Sequence, residues 1–119
     1  MAKILVVDDN DDICKILTIF LGKYHTISIA RNGKEAVEII AQLPQDLVIT
    51  DIQMPEMNGK ELTKWIKANH SKIPVILMSG NLEPEGHFAD YFIKKTLNLA
   101  ELRVTIEMLL SRKATQRAR

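Results

Sequence analysis

Two apolar runs in this chain end in acid: Ile4-Leu5-Val6-Val7 runs into Asp8-Asp9, and Leu47-Val48-Ile49-Thr50 runs into Asp51. A short unbroken run of this kind, bounded by polar residues, reads as a strand buried on both faces. Acids placed where such strands emerge lie at the carboxyl edge of a parallel sheet, the edge at which open α/β folds bind their ligands. Three carboxylates gathered in one crevice repel each other, so some must protonate or a cation must join them. An all-oxygen donor set in a partly open site suits Mg²⁺. The pattern calls for an α/β fold holding a metal beside one reactive carboxylate.

The rest of the chain alternates in the same way. Strands are predicted over Lys3–Val7, His25–Ala30, Leu47–Thr50, Pro74–Met78 and Tyr91–Lys94. Between them, Ile13, Ile16, Leu17, Phe20 and Leu21 recur at helical spacing, as do Ala36, Val37, Ile40 and Ala41, and then Leu62, Trp65 and Ile66. Asn58 with Glu61, and Asn98 with Glu101, have the spacing of a capping box, the second opening a last helix with Leu102, Ile106, Leu109 and Leu110. Five strands alternating with helices imply a doubly wound parallel sheet with helices on both faces.

One crossover is thin. Twelve residues, Gly80 to Tyr91, separate Ser79 from Phe92, and they include Gly80, Pro84 and Gly86. Proline cannot continue a helix and glycine weakens one, so the fourth helix is predicted to be short or absent.

Bulk properties narrow the function classes. The chain has 119 residues, 46% hydrophobic and 26% charged, with a net charge of +1, which fits one globular domain over residues 1–119. No apolar stretch reaches membrane-spanning length, and no signal-peptide core opens the chain. A single cysteine, Cys14, excludes an internal disulfide and suits the cytoplasm. Balanced charge argues against direct DNA binding. The tail over about 112–119 is basic and reads as a helix end or linker.

Four elements in order, each at the end of a predicted strand, resemble the receiver (CheY-like) domain of two-component response regulators. They are Val6-Val7-Asp8-Asp9, Asp51-Ile52-Gln53-Met54-Pro55 with Met57-Asn58-Gly59, Leu77-Met78-Ser79-Gly80, and Phe92-Ile93-Lys94-Lys95. The resemblance covers essentially the whole chain and implies the flavodoxin-like strand order 2-1-3-4-5.

It further implies that Asp51 accepts a phosphoryl group from a sensor histidine kinase or phosphotransfer protein, in a phosphorelay read by a downstream protein target. Asp8, Asp9 and Asp51 would hold Mg²⁺ with the backbone carbonyl of Gln53, Asp9 directly and Asp8 through water. Ser79 would donate to the phosphoryl group. Lys95 would reach Asp51; adjacent strand residues face opposite ways, so only one of Lys94 and Lys95 can enter the crevice, and the alignment favours Lys95. Thr96 stands where the family commonly has proline, and the Lys95–Thr96 bond is expected to be trans. Phe92 lies at the family's switch aromatic; a permanently buried core ring is the other reading. Gln53 and Asn81 flank the site and would tune hydrolysis. A second copy of the chain is a further candidate partner.

Other residues have plainer readings. Asn10, Asp11 and Asp12 cap the first helix; His25, His70 and His87 are surface residues; Trp65 and Cys14 are packing residues. Among rival functions, a phosphatase with an aspartate nucleophile would want a second acid where Gln53 stands. An interaction module that is never phosphorylated would typically have lost an acid or the lysine. The chain is expected to be a single-domain regulator acting by protein contact, with the receiver portion of a larger regulator as the alternative. Its only expected catalysis is its own phosphorylation and dephosphorylation.

Overall fold

The computed structural model of the chain describes residues 1–80, 83–95 and 98–117, the last five of these by backbone alone. Asn81, Thr96, Leu97 and most side chains of the basic tail lie outside the described residues, and with them the geometry of the Lys95–Thr96 bond. Strands β1 (Lys3–Val7), β2 (Thr26–Ala30), β3 (Leu47–Asp51), β4 (Val75–Ser79) and β5 (Tyr91–Lys94) alternate with helices α1 (Asp11–Leu21), α2 (Gly33–Gln42) and α3 (Gly59–Asn69), and α4 (Leu99–Arg117) closes the order. All strand pairs are parallel, in the order β2-β1-β3-β4-β5. The doubly wound sheet expected from the alternation is the observed fold.

β3 and β4 are buried at every residue, which explains why their sequences do not alternate. Leu17 and Leu21 of α1 and Leu102, Ile106 and Leu109 of α4 cover one face, with Ile4, Val6, Ile49 and Met78 from the sheet. Ala36 and Ile40 of α2 and Leu62 and Ile66 of α3 cover the other, over Leu5, Val7, Val48 and Val75. Complete burial of a leucine or isoleucine contributes about 2 kcal/mol, so the two layers dominate the fold's stability.

Asparagines start the helices. Asn10 accepts from the amides of Asp12 and Ile13, Asn32 from Glu35 and Asn98 from Glu101. Asn58 and Glu61 form the complete reciprocal box anticipated from their spacing. Strand limits shift by a residue from the sequence expectation: β2 begins after His25, β3 extends through Asp51, and β4 runs from Val75 through Ser79.

No helix occupies Gly80 or residues 83–90, the described parts of the β4–β5 connection. Polar contacts anchor it instead. Asp90 exchanges main-chain and side-chain bonds with Val75, its carboxylate accepting the Val75 amide at 2.8 Å, and it pairs with Lys67 of α3. His87 meets Glu83 at 2.8 Å and accepts the Ala89 amide at 3.2 Å.

His25 departs from its surface reading. It is buried because both ring nitrogens have partners: Nδ1 accepts the Ala2 amide at 3.1 Å, and Nε2 lies 3.1 Å from Glu107 of α4. Spacing alone could not reveal a partner so distant in sequence.

Candidate functional site

The register brings β1 and β3 side by side, with Val7 opposite Thr50, so their terminal acids share one edge. Carboxylate oxygens of Asp8, Asp9 and Asp51 lie within 4.8 Å of one another. Asp8 is fully buried, Asp51 is 8% exposed and Asp9 is open to solvent. Asp8 Oδ1 accepts the Asn10 amide at 2.9 Å, and its main-chain carbonyl accepts the Cys14 thiol at 3.3 Å.

Lys95 follows β5 and reaches across to this edge. Its ammonium lies 2.8 Å from Asp8 Oδ2 and 3.3 Å from Asp51 Oδ2, whereas Lys94 lies on the exposed side of the strand. The Lys95 amide donates to the Ser79 carbonyl at 2.7 Å, tying the main chain that carries the lysine to the end of β4, where Ser79 is buried. Phe92 is half-buried, and its ring sits 6.4 Å from that of His87. Gln53 is exposed in the loop after β3.

That loop is packed against the acid it follows. Gly59 donates to the Ile52 carbonyl at 2.8 Å, and a Cβ on Gly59 would stand 2.0 Å from the Asp51 carbonyl oxygen. The Gly33 amide donates to the Met57 carbonyl at 3.1 Å, joining the start of α2 to the same loop. Met54 and Met57 pack against the second core layer.

Burial, and then the charge of Asp8, push Asp51 above the usual carboxylate range, while Lys95 and the Ile52 amide pull it back. Burial lowers Lys95, but its close ion pair with Asp8 and the charge of Asp51 outweigh that, leaving its pKa raised.

The donor set fits a divalent cation. Three carboxylates face one ammonium, an excess of two negative charges if all are ionised. Asp8 Oδ2 is buried with no hydrogen bond of good geometry, relying on its ion pair with Lys95, so it has unused acceptor capacity. Hard oxygen ligands beside an exposed third acid are what Mg²⁺ takes while keeping several waters.

Two contacts escaped the sequence reading. The Thr50 hydroxyl donates to the main-chain carbonyl of Asp51 at 2.9 Å, and the Ile52 amide donates to Asp51 Oδ1 at 2.9 Å. The available signal was a hydroxyl residue closing an otherwise apolar buried strand.

The family model for the response regulator receiver domain matches residues 4–107. Over 84 residues the chain is 49% identical to a probable cyclic di-GMP phosphodiesterase of Vibrio cholerae serotype O1, an alignment covering 69% of this chain and 19% of that protein. The chain therefore spans about a fifth of the length of this curated relative. A solved structure of the response regulator protein TrrA from Thermotoga maritima, in complex with Mg(2+)-BeF, is 32% identical with a TM-score of 0.85, covering 92% of this chain and 99% of that one. A CheY-like receiver domain protein from Methanospirillum hungatei JF-1 shares the fold with a TM-score of 0.92 at 24% identity, covering 98% of each chain.

Proposed function

The chain belongs to the response regulator receiver domain family, and on that premise we propose that Asp51 is its phosphoacceptor in a phosphorelay. The observation that carries this reading is the Asp51 carboxylate itself, shallowly buried at the sheet edge with Asp8, Asp9 and Lys95 around it. In the proposed reaction an ionised Asp51 oxygen attacks the phosphorus of a phosphohistidine on a sensor kinase or phosphotransfer protein. The O–P bond forms as the N–P bond breaks, and the imidazole leaves with the bonding pair.

The residues divide the work. The Ile52 amide fixes Oδ1 of Asp51, and Lys95 lies beside Oδ2. Lys95 stays protonated at neutral pH because the two acids hold its proton, so its positive charge is available to the incoming group. Ser79, buried at the end of β4, supplies a hydroxyl for a phosphoryl oxygen. Asp8, Asp9, Asp51 and the Gln53 carbonyl would hold Mg²⁺, which when bound neutralises charge on the transferring oxygens. Catalysis here is positioning and electrostatics, directed only at the chain's own modification and its reversal. Phe92, half-buried beside His87, is the ring whose position would report the change to a downstream protein.

We take the compartment to be the cytoplasm, where the kinase reaction has its nucleotide; among the described residues no helix is long and apolar enough to cross a membrane. The receiver domain over 1–119 acts, in this proposal, by contact with protein partners. One feature favours a second reading, an interaction module that carries no phosphate: the helix-free stretch 83–90 reshapes the side on which Phe92 lies.

Incubation with acetyl phosphate and Mg²⁺, read by intact mass, separates the two. Gain of a single phosphoryl group, lost in Asp51→Asn, supports the receiver reading. No gain, or gain that survives D51N, overturns it.

A further inference from the structure

We infer that Thr50 is a positioning residue for Asp51, acting through the peptide group that joins Asp51 to Ile52. The inference rests on the reading of Asp51 as phosphoacceptor. That one peptide group has two ends, and each is engaged. At its carbonyl end it accepts the Thr50 hydroxyl at 2.9 Å; at its amide end Ile52 donates to Oδ1 of Asp51, also at 2.9 Å. The amide is shared with the Met78 carbonyl at 3.2 Å, so the plane could tilt toward either acceptor. Thr50 holds the carbonyl end and thereby sets the aim of the amide at the carboxylate.

The choice of residue supports this. Thr50 has no exposure, and its strand neighbours across the sheet are Val7 and Leu77, which offer no side-chain partner. Valine would suit a buried strand position of this shape, and a buried hydroxyl carries a desolvation cost unless it is bonded. The hydroxyl finds its acceptor in the phosphoacceptor's own main chain. A donor on the carbonyl polarises the peptide and strengthens its N–H as a donor, so the two bonds reinforce each other. With Oδ1 fixed, Oδ2 is the oxygen left beside Lys95.

The test compares Thr50→Val and Thr50→Ser with wild type in the full chain. Phosphorylation by acetyl phosphate with Mg²⁺ is followed by intact mass across donor concentrations, well below each protein's Tm. T50V is expected to lower the maximal rate about fivefold, the equivalent of one neutral hydrogen bond, with the half-saturating donor concentration unchanged. T50S is expected to restore the rate. A T50V protein at the wild-type maximal rate overturns the inference, as does a T50S protein as slow as T50V, which would assign the effect to the methyl group. Should T50V fail to fold, NMR of the wild-type chain decides: a Thr50 hydroxyl proton protected from water exchange upholds the contact, and a freely exchanging one refutes it. A wild-type chain that gains no phosphate removes the phosphoacceptor reading and this inference together; a phosphorylated wild type with an unaffected T50V removes only the latter.

Discussion

The Lys95 ammonium sits 2.8 Å from Oδ2 of Asp8, a carboxylate with no exposure at all. Asp51 is the more distant partner, at 3.3 Å. The lysine is thus first a counterion for a buried acid and only second a neighbour of Asp51. Removing it strands a charge in the interior. Lys95→Ala is expected to destabilise the protein by about 3 kcal/mol at neutral pH, as for other broken buried pairs. Urea unfolding measures this, and added Mg²⁺ should recover part of the loss. Because the folded-state pKa of Lys95 is raised, the contribution is complete below its ordinary value of about 10.5 and is lost as pH rises through the higher folded value.

Asp51 has the opposite consequence. Its pKa is raised chiefly by burial and then by Asp8, so between the ordinary carboxylate value and its folded value the native state binds more protons than the unfolded chain. Stability from this group is present below that window and falls as pH rises through it. Asp51→Asn removes the ionisation, and should raise stability at pH 7 without Mg²⁺ by about 1 kcal/mol, or about 4 °C in Tm. The gain from added Mg²⁺ should shrink in the same variant. Thermal scans of both proteins, with and without the ion, provide the check.

Gly59 bears on the site without contributing a side chain. A methyl group there meets the Asp51 carbonyl oxygen at 2.0 Å and main-chain carbon beyond it, so backbone would have to move. Gly59→Ala is expected to cost about 3 kcal/mol, and to slow phosphorylation in the fraction that folds by displacing Asp51. Urea midpoints and the rate with acetyl phosphate report the two effects separately.

Glu56, in the same loop, has a φ of 67°, the left-handed region that side chains with a Cβ avoid. Glu56→Gly relieves that strain but gives the unfolded chain more freedom. The balance is expected to favour the folded state by ~0.5 kcal/mol. A denaturation midpoint that moves upward with unchanged slope would bear this out.

The strand-terminal acids made the fold and the cluster legible. Short apolar runs ending in Asp9 and Asp51 have few other architectures available, and the Asn58–Glu61 box marks a helix start through purely local bonds. The poor helix signal around Pro84 and Gly86 likewise reflects backbone chemistry that any context must respect. What could not be read depends on contacts between distant elements. His25 is buried because Ala2 and Glu107 meet it, and no periodicity in β2 encodes that meeting. Lys95 was separated from Lys94 by alignment, but its closer approach to Asp8 needed coordinates. Thr50 reads in the sequence only as the last residue of an apolar run, and nothing in that run encodes its bond to Asp51.

The Asp90 link between Val75 and Lys67 means that β5, an outer strand of four residues, is moored on one side by a polar rivet where a helix would have offered a greasy seam. A greasy seam tightens as ionic strength rises, whereas a rivet made of opposite charges slackens. This border of the sheet should therefore loosen as salt is added, while the apolar layers behind it do not.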